Sequence, residues 1–312
     1  MSTRVGFHAS HEQASPRQLL EDVQHAEQAG FATAMCSDHL APWSVRQGHS
    51  GYAWSWLAAA LATTDLELGC VSAPGQRYHP AVQAQKIATL GQMFPGRFWV
   101  ALGSGEALNE HVTAERWPTK DVRQARLEEC VHVVRRLLAG EEVTHDGLVR
   151  VDRARVWERA EPTPLLIGPA VSVASAARVA AWADGLVTVN QPVDTLREVL
   201  TAYRSAGGRG RTALQVHLSW APTEEEAEGV AHDQWRTNVF GEPVSWDVET
   251  PEAFDVVAEH VPSEVVRESV RVSADLGRHR EWLTEYLELG FDDLYLHFVG
   301  QEQGRFLDTF GE

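Results

Sequence analysis

The chain has 312 residues, 44% apolar and 23% charged, enough to bury the core of one large α/β unit and too apolar for a disordered chain. Its net charge is −17 and its only lysines are Lys86 and Lys120, so the basic footprint that nucleic-acid phosphates or an anionic membrane surface require is missing. The first residues carry no apolar stretch of signal-peptide length, and no window reaches the roughly 18 apolar residues of a membrane span. Cys36, Cys70 and Cys130 form neither a disulfide framework nor a CxxC motif, so a cytoplasmic protein is expected.

Apolar runs of strand length alternate with helix-period segments along the chain. Residues 4–8 read as a strand, and 16–28 as an amphipathic helix stopped at Gly30. A strand over 31–36, a helix over 53–64, a strand over 66–71 and a helix opened by Pro80 over 80–92 follow. The fourth strand is 97–102, with a long helix over 122–139. Residues 141–159 break the rhythm as a hairpin excursion turning at Asp146-Gly147. Strand 164–168, helix 172–183, strand 185–189, helix 194–205 and strand 214–219 resume it. A polar, tryptophan-containing helical stretch fills 221–289, before a last strand at 293–297 and a helix at 301–310. Eight βα units in one domain, 1–312, predict a (β/α)8 TIM barrel with insertions after strands four and seven. An open doubly wound sheet is the alternative, weakened because Gly6-Phe7-His8-Ala9-Ser10 is not a glycine-rich dinucleotide fingerprint.

In such a barrel, functional groups follow the C-terminal ends of the strands. The polar residues there are His8 and Glu12; Ser37, Asp38, His39 and Trp43; Ser72 and Arg77; Ser104, Glu106 and Asn109; Asn190 and Gln191; Trp220; and His297. Asp38-His39 is the sharpest pair, since a carboxylate orients a histidine that exchanges protons near neutrality. It reads equally as a structural pair at a strand end. Gly103-Ser104-Gly105-Glu106 combines backbone that lets a ligand approach with a carboxyl whose pKa burial can raise, or else a turn with a capping carboxylate. His8, His11 and Glu12 invite a metal reading, but a spacing of three puts the two histidines on different faces of a continuing strand, so no metal is expected. Gln76-Arg77-Tyr78-His79 binds an anion or forms a salt-bridged loop. Of 11 tryptophans, Trp43 alone sits beside the candidate site.

Ser37-Asp38-His39-Leu40-Ala41-Pro42-Trp43, Arg77-Tyr78-His79-Pro80-Ala81-Val82 and Gly103-Ser104-Gly105-Glu106-Ala107-Leu108-Asn109-Glu110 occur in an order and spacing that resemble the luciferase-like superfamily, in its branch related to coenzyme F420-dependent glucose-6-phosphate dehydrogenase. His8-Ala9-Ser10-His11-Glu12-Gln13, Ala73-Pro74-Gly75-Gln76-Arg77-Tyr78 and His232-Asp233-Gln234-Trp235-Arg236-Thr237-Asn238 resemble a subgroup of that branch described as FMN-dependent. The resemblance spans essentially the whole chain. It implies an oxidoreductase that moves a hydride between a small organic substrate (an alcohol, a sugar-like compound, or an activated alkene or carbonyl) and coenzyme F420, placed first, or FMN, held at the barrel mouth. It implies that Asp38 hydrogen-bonds the ring, His39 stabilises charge or carries a proton, Glu106 is a second acid/base group and Trp43 walls the substrate space. Ser104, Gly105 and Asn109 would line the cofactor. The end of strand three around Cys70-Val71-Ser72-Ala73 would carry the family's non-prolyl cis peptide, with Val71, Ser72 and Ala73 against the cofactor, and Ala170, Val171 and Ser172 would meet the cofactor phosphate. A homodimer is also implied.

Two departures stand out. Relatives acting on sugar phosphates surround the phosphate with lysine and arginine. Here the sequence after strand six is Val189-Asn190-Gln191-Pro192, and Lys86 and Lys120 are expected on helices away from the mouth, leaving Arg267 and Arg271 as anion partners. The glycine-rich phosphate loop is replaced by Gly168-Pro169-Ala170-Val171-Ser172, in which Pro169 has no N–H. A metal-dependent barrel hydrolase using His8, His11, Asp38 and His39, an FMN-dependent monooxygenase and a non-catalytic ligand-binding chain are the competing functions.

Overall fold

Residues 3–311 are described in a computed structural model. The strands in chain order are β1 (Arg4–Ala9), β2 (Thr33–Ser37), β3 (Glu67–Ser72), β4 (Phe98–Leu102), β5 (Val143–Asp146), β6 (Arg150–Ala154), β7 (Leu165–Pro169), β8 (Gly185–Val189), β9 (Arg211–Ser219), β10 (Arg271–Val272) and β11 (Asp293–Phe298). Eight of them lie in the order β9-β11-β1-β2-β3-β4-β7-β8, and β8 pairs back onto β9, so the sheet closes; every pairing in the ring is parallel. The expected (β/α)8 barrel is therefore the observed fold. The expected hairpin is the antiparallel β5–β6 pair.

The helices are α1 (Pro16–Gln28), α2 (Ala53–Thr63), α3 (Pro80–Met93), α4 (Ala107–Glu110), α5 (Lys120–Leu138), α6 (Val173–Val179), α7 (Val193–Ser205), α8 (Glu224–Trp235), α9 (Val244–Asp247), α10 (Pro251–Val257), α11 (Ser263–Ser269), α12 (Leu276–Glu288) and α13 (Gly304–Phe310). Their starts follow ordinary capping chemistry: Ser15 and His79 accept from the first turns of α1 and α3, each of which has proline at its opening position. The second insertion comprises α8 to α12 together with the two-residue strand β10, which the sequence does not signal. The helix expected over 172–183 ends at Val179, and β9 starts at Arg211 rather than at 214. Its polar first residues are held by Asp292 and Asp293, which an apolar-run criterion misses.

The two ends of the barrel differ. At the N-terminal end Arg4 and Arg211 both pair with Glu67 and Asp293, forming a ring of alternating charge across the opening. Above it Met35, Trp99, Ala101, Ile167, Val187, Ala213 and Tyr295 fill the interior. Trp99 fits because Gly69 faces it; a Cβ there would stand 1.9 Å from the indole. With one end plugged and the middle packed, access is left to the C-terminal end, where the loops meet.

Candidate active site

His39 follows β2 and sits between two carboxylates, Glu12 after the adjacent strand β1 and Glu106 after β4, the next strand but one. Its Nδ1 lies 2.6 Å from Glu12 Oε1, and its Nε2 lies 3.7 Å from Glu106 Oε2. The Glu12 contact is close but poorly aligned for a hydrogen bond, so charge attraction supplies most of its strength. Ser10 Oγ donates to the other Glu12 oxygen at 2.7 Å. Burial opposes charge on the ring, but the Glu12 charge and contact, reinforced by Glu106, outweigh it and hold the His39 pKa up to about 9. Burial likewise opposes the Glu12 carboxylate, and His39 and Ser10 outweigh it, bringing that group down to about 2. Glu106 goes the other way. Burial pushes its carboxyl up, and the nearby Glu12 and Glu110 charges add to this against the pull of His39 and Asn109.

Asn109 locks the geometry. The Leu40 N–H can only donate, so Asn109 Oδ1 faces it at 2.7 Å and Nδ2 is turned to donate to Glu106 Oε2 at 3.1 Å. One amide thus ties the loop carrying His39 to the carboxyl on the next-but-one strand end. Trp43 stands edge-on to the His39 ring, with centroids 5.5 Å apart. Its loop is pinned by Gln47, which accepts from Trp43 N, and by Asp255 of α10, which accepts from Ser44 Oγ and pairs with Arg46.

The Asp38 side chain is fully inaccessible. Trp54 Nε1 and Ser72 Oγ each donate to Oδ2 at 2.8 Å, and Tyr78 OH donates to Oδ1 at 3.2 Å. Asp38 therefore anchors the strand end, and what little of it reaches the neighbouring groove is main chain. Arg77 Nη2 donates to the Asp38 carbonyl and Arg77 N to Glu110 Oε2, each at 2.6 Å, which is the salt-bridged-loop reading of that segment. The expected non-prolyl cis peptide is absent: among the described residues the cis bonds are Glu161-Pro162 and Glu242-Pro243. The β3–β4 ladder runs regularly through Ser72↔Leu102, Gly103 N continues it to Ser72 O, and the cheaper trans geometry suffices.

Two compartments open at this end. A groove runs past Val71, Ser72, Ala73, Ser104, Gly105, Asn109, Ala170, Val171 and Ser172, the positions expected to bind cofactor. A cavity of about 490 Å³ lies beside it, lined by Glu12, Trp43, Gln215, His217, Trp235 and His297 among others. His39, Glu106, Val71, Ala170 and Val171 line both, and so do Glu242 and Trp246 next to and within α9. His39 and Glu106 therefore sit on the seam between the two.

Three cationic expectations are corrected. Lys120 is not away from the mouth; with Arg123 it lines the groove, where it meets Glu242 Oε1 at 2.5 Å while Arg123 lies 3.5 Å from Asp247. Arg267 pairs with Glu228, and Arg271 donates to Tyr286 OH, and neither lines the cavity. Among the described residues no lysine or arginine lines that cavity. Trp220, expected at the mouth, instead donates to the Ala274 carbonyl and packs on Phe310. Ser172 and Ser175 cap one another at the start of α6, so two of that turn's N–H groups are already used.

His8 and His11 face apart, as their spacing suggests. His8 lines the cavity and His11 meets the edge of Trp56. Among the described residues no group of three or more His, Cys, Asp or Glu side chains is arranged to hold a metal ion. The sequence placed Glu12 at the mouth and suggested only a disfavoured metal-ligand role for it. Gln215 and His217 were missed, although two polar residues alternating with Leu214, Val216 and Leu218 were a usable signal.

The luciferase-like monooxygenase family model matches residues 1–293. An F420-dependent glucose-6-phosphate dehydrogenase of Nakamurella multipartita is 36% identical, over 99% of this chain and 94% of its own length. A solved F420-dependent secondary alcohol dehydrogenase, in complex with an F420-acetone adduct, superposes with a TM-score of 0.92 at 28% identity, covering 100% of this chain and 98% of that one. A coenzyme F420-dependent tetrahydromethanopterin reductase from Methanopyrus kandleri shares the fold at TM-score 0.77 and 18% identity, covering 100% and 98%. Sequence and fold agree from end to end, and the chain belongs to the luciferase-like monooxygenase family.

Proposed function

We propose that this chain is an F420-dependent oxidoreductase that interconverts a neutral alcohol and its carbonyl compound. The observation that carries this reading is the seam: His39 and Glu106 line both an apolar-walled groove and a separate cavity. Two reactants held on either side of one proton-exchanging pair is what hydride transfer coupled to proton transfer requires. The names of the 36%-identical relative and the 28%-identical structural neighbour support it.

The groove fits a phosphorylated tricyclic coenzyme. Val71, Ala73, Pro169, Ala170 and Val171 give it small apolar walls, Gly103 leaves room beside Pro169 (a Cβ there would still be 3.6 Å away), and Lys120 and Arg123 supply positive charge. Held in this groove, coenzyme F420 would supply hydride exchange with the carbinol carbon of an alcohol or with a carbonyl carbon. The hydroxyl proton must leave at the same time. Because Glu12 occupies Nδ1, His39 exchanges that proton at Nε2, and the Glu12 carboxylate stabilises the imidazolium that results. Glu106 is the second proton-exchanging group, positioned by Asn109. Trp43 and Trp246 restrict water at the seam.

The substrate differs from that in the relatives' name. A phosphate ester needs cations, and the cavity offers Glu12, Glu106 and Glu242 instead. Mixing the protein with coenzyme F420 and either a neutral secondary alcohol or glucose 6-phosphate, and following the coenzyme's visible absorbance, tests this. Bleaching with the neutral alcohol is expected; bleaching with glucose 6-phosphate alone, or with no donor, would sink it.

Lys120→Ala should weaken coenzyme binding about tenfold, the scale of one charge-assisted contact, and wild-type affinity should fall with added salt. Equilibrium titration checks it, and unchanged affinity would remove Lys120 from the phosphate end. The chain is further read as cytoplasmic and homodimeric, supported by its resemblance to the family and by three buried cysteines that are all free.

A further inference from the structure

One wall of the cavity is a layer of histidines on three adjoining strands. His297 of β11 is the register partner of His217 of β9, and Phe7↔Leu296 on the other side sets His8 of β1 next to His297. The His8 and His297 rings stack at 4.2 Å. Burial keeps all three neutral: it brings His8 down to about 4 and His217 to about 3, and takes His297 well below the usual value.

The hydrogen-bond directions in this wall are fixed from outside it. The Val299 carbonyl can only accept, so Gln13 Nε2 donates to it and Gln13 Oε1 is left to accept from His297 Nε2 at 2.8 Å. A neutral His297 then has a bare Nδ1, which accepts from Gln215 Nε2 at 3.0 Å. The second hydrogen of the same amide goes to His217 Nε2 at 3.1 Å, so the His217 proton must be on Nδ1. Among the described residues two groups are left over: Gln215 Oε1, an acceptor, and His217 Nδ1–H, a donor. Both residues line the cavity, and each is 9% exposed. His8, 2% exposed on the same wall, has no partner for either ring nitrogen among the described residues.

We propose that Gln215 and His217 form a hydroxyl-binding subsite, and that the substrate class is a neutral polyhydroxy compound whose reacting hydroxyl meets His39 while a second is held by this pair. The inference rests on the alcohol–carbonyl reading above. A hydroxyl both donates and accepts, as this pair requires. An alkyl group there leaves both protein groups desolvated and unpaired. A cavity of about 490 Å³ falls in the range of ligands far larger than a three-carbon alcohol. The absence of lysine and arginine among its described lining residues, beside three glutamates, selects against a phosphate ester.

The test is binding of unphosphorylated glucose, glucose 6-phosphate and propan-2-ol to the purified protein, read from the fluorescence of Trp43, Trp235 and Trp246, which line the cavity. Glucose should bind at least about tenfold more tightly than either of the others. Gln215→Leu, and independently His217→Phe, should weaken glucose binding about tenfold and leave propan-2-ol unchanged. Equal or tighter binding of propan-2-ol or the phosphate ester overturns the proposal, as does glucose binding that both variants retain. Coenzyme titration separates the two readings. Lost sugar selectivity with coenzyme bound refutes the subsite alone; selective sugar binding by a protein that takes no coenzyme refutes the redox reading.

Discussion

His39→Ala and Glu106→Gln should each lower turnover about a hundredfold, the usual scale of a positioned acid–base group. His39 Nε2 is the only ring nitrogen not held by Glu12, and Glu106 Oε2 stands 3.7 Å from it on the seam of the two compartments. Glu106→Gln keeps the shape and can still meet Asn109, but no longer exchanges a proton. Because the two groups act on one transfer, the double variant should lose little more than either single one. Single-turnover rates at saturating coenzyme measure this, and near-normal rates in both variants would remove the pair from the mechanism.

The second large effect concerns pH. With the His39 pKa held up to about 9, the ring carries its proton at neutrality. Alcohol oxidation needs the neutral ring, so its kcat/KM should climb as pH rises toward 9, while carbonyl reduction, which needs the proton, should fall over the same interval. Glu12→Gln removes the largest of the influences raising this pKa and leaves burial, which lowers it. The oxidative limb should then move to lower pH, and the profile just below 9 should flatten. A limb that stays near 9 in Glu12→Gln would show that Glu12 does not set the charge of His39.

Much of this was legible from residue order. Alternating strand and helix patterns gave the barrel, and strand-end position alone brought His39, Glu106, Asn109 and Trp43 together. What escaped was chemistry set by contacts distant in sequence. Glu12 and His39 follow neighbouring strands, and nothing local says which ring nitrogen the carboxylate takes. Asp38 looked ligand-facing from its neighbours in sequence, but Trp54, Ser72 and Tyr78 arrive from three other segments and enclose its side chain. Lys120 seemed remote because a helix start carries no signal of where it points; in the fold that start borders the groove. The histidine wall depends on strand register, which periodicity cannot supply.

The central claim, a coenzyme F420 groove meeting a substrate cavity at His39 and Glu106, is tested most directly by titrating the protein with coenzyme F420 and with FMN and following tryptophan fluorescence. Trp246 lines both compartments and Trp43 packs on His39, so a ring bound at the seam should quench them. Saturable, roughly micromolar binding of coenzyme F420, tighter than that of FMN and weakened by Lys120→Ala, is the result this account predicts. Saturable binding of FMN alone would reassign the coenzyme, and binding of neither would contradict the account.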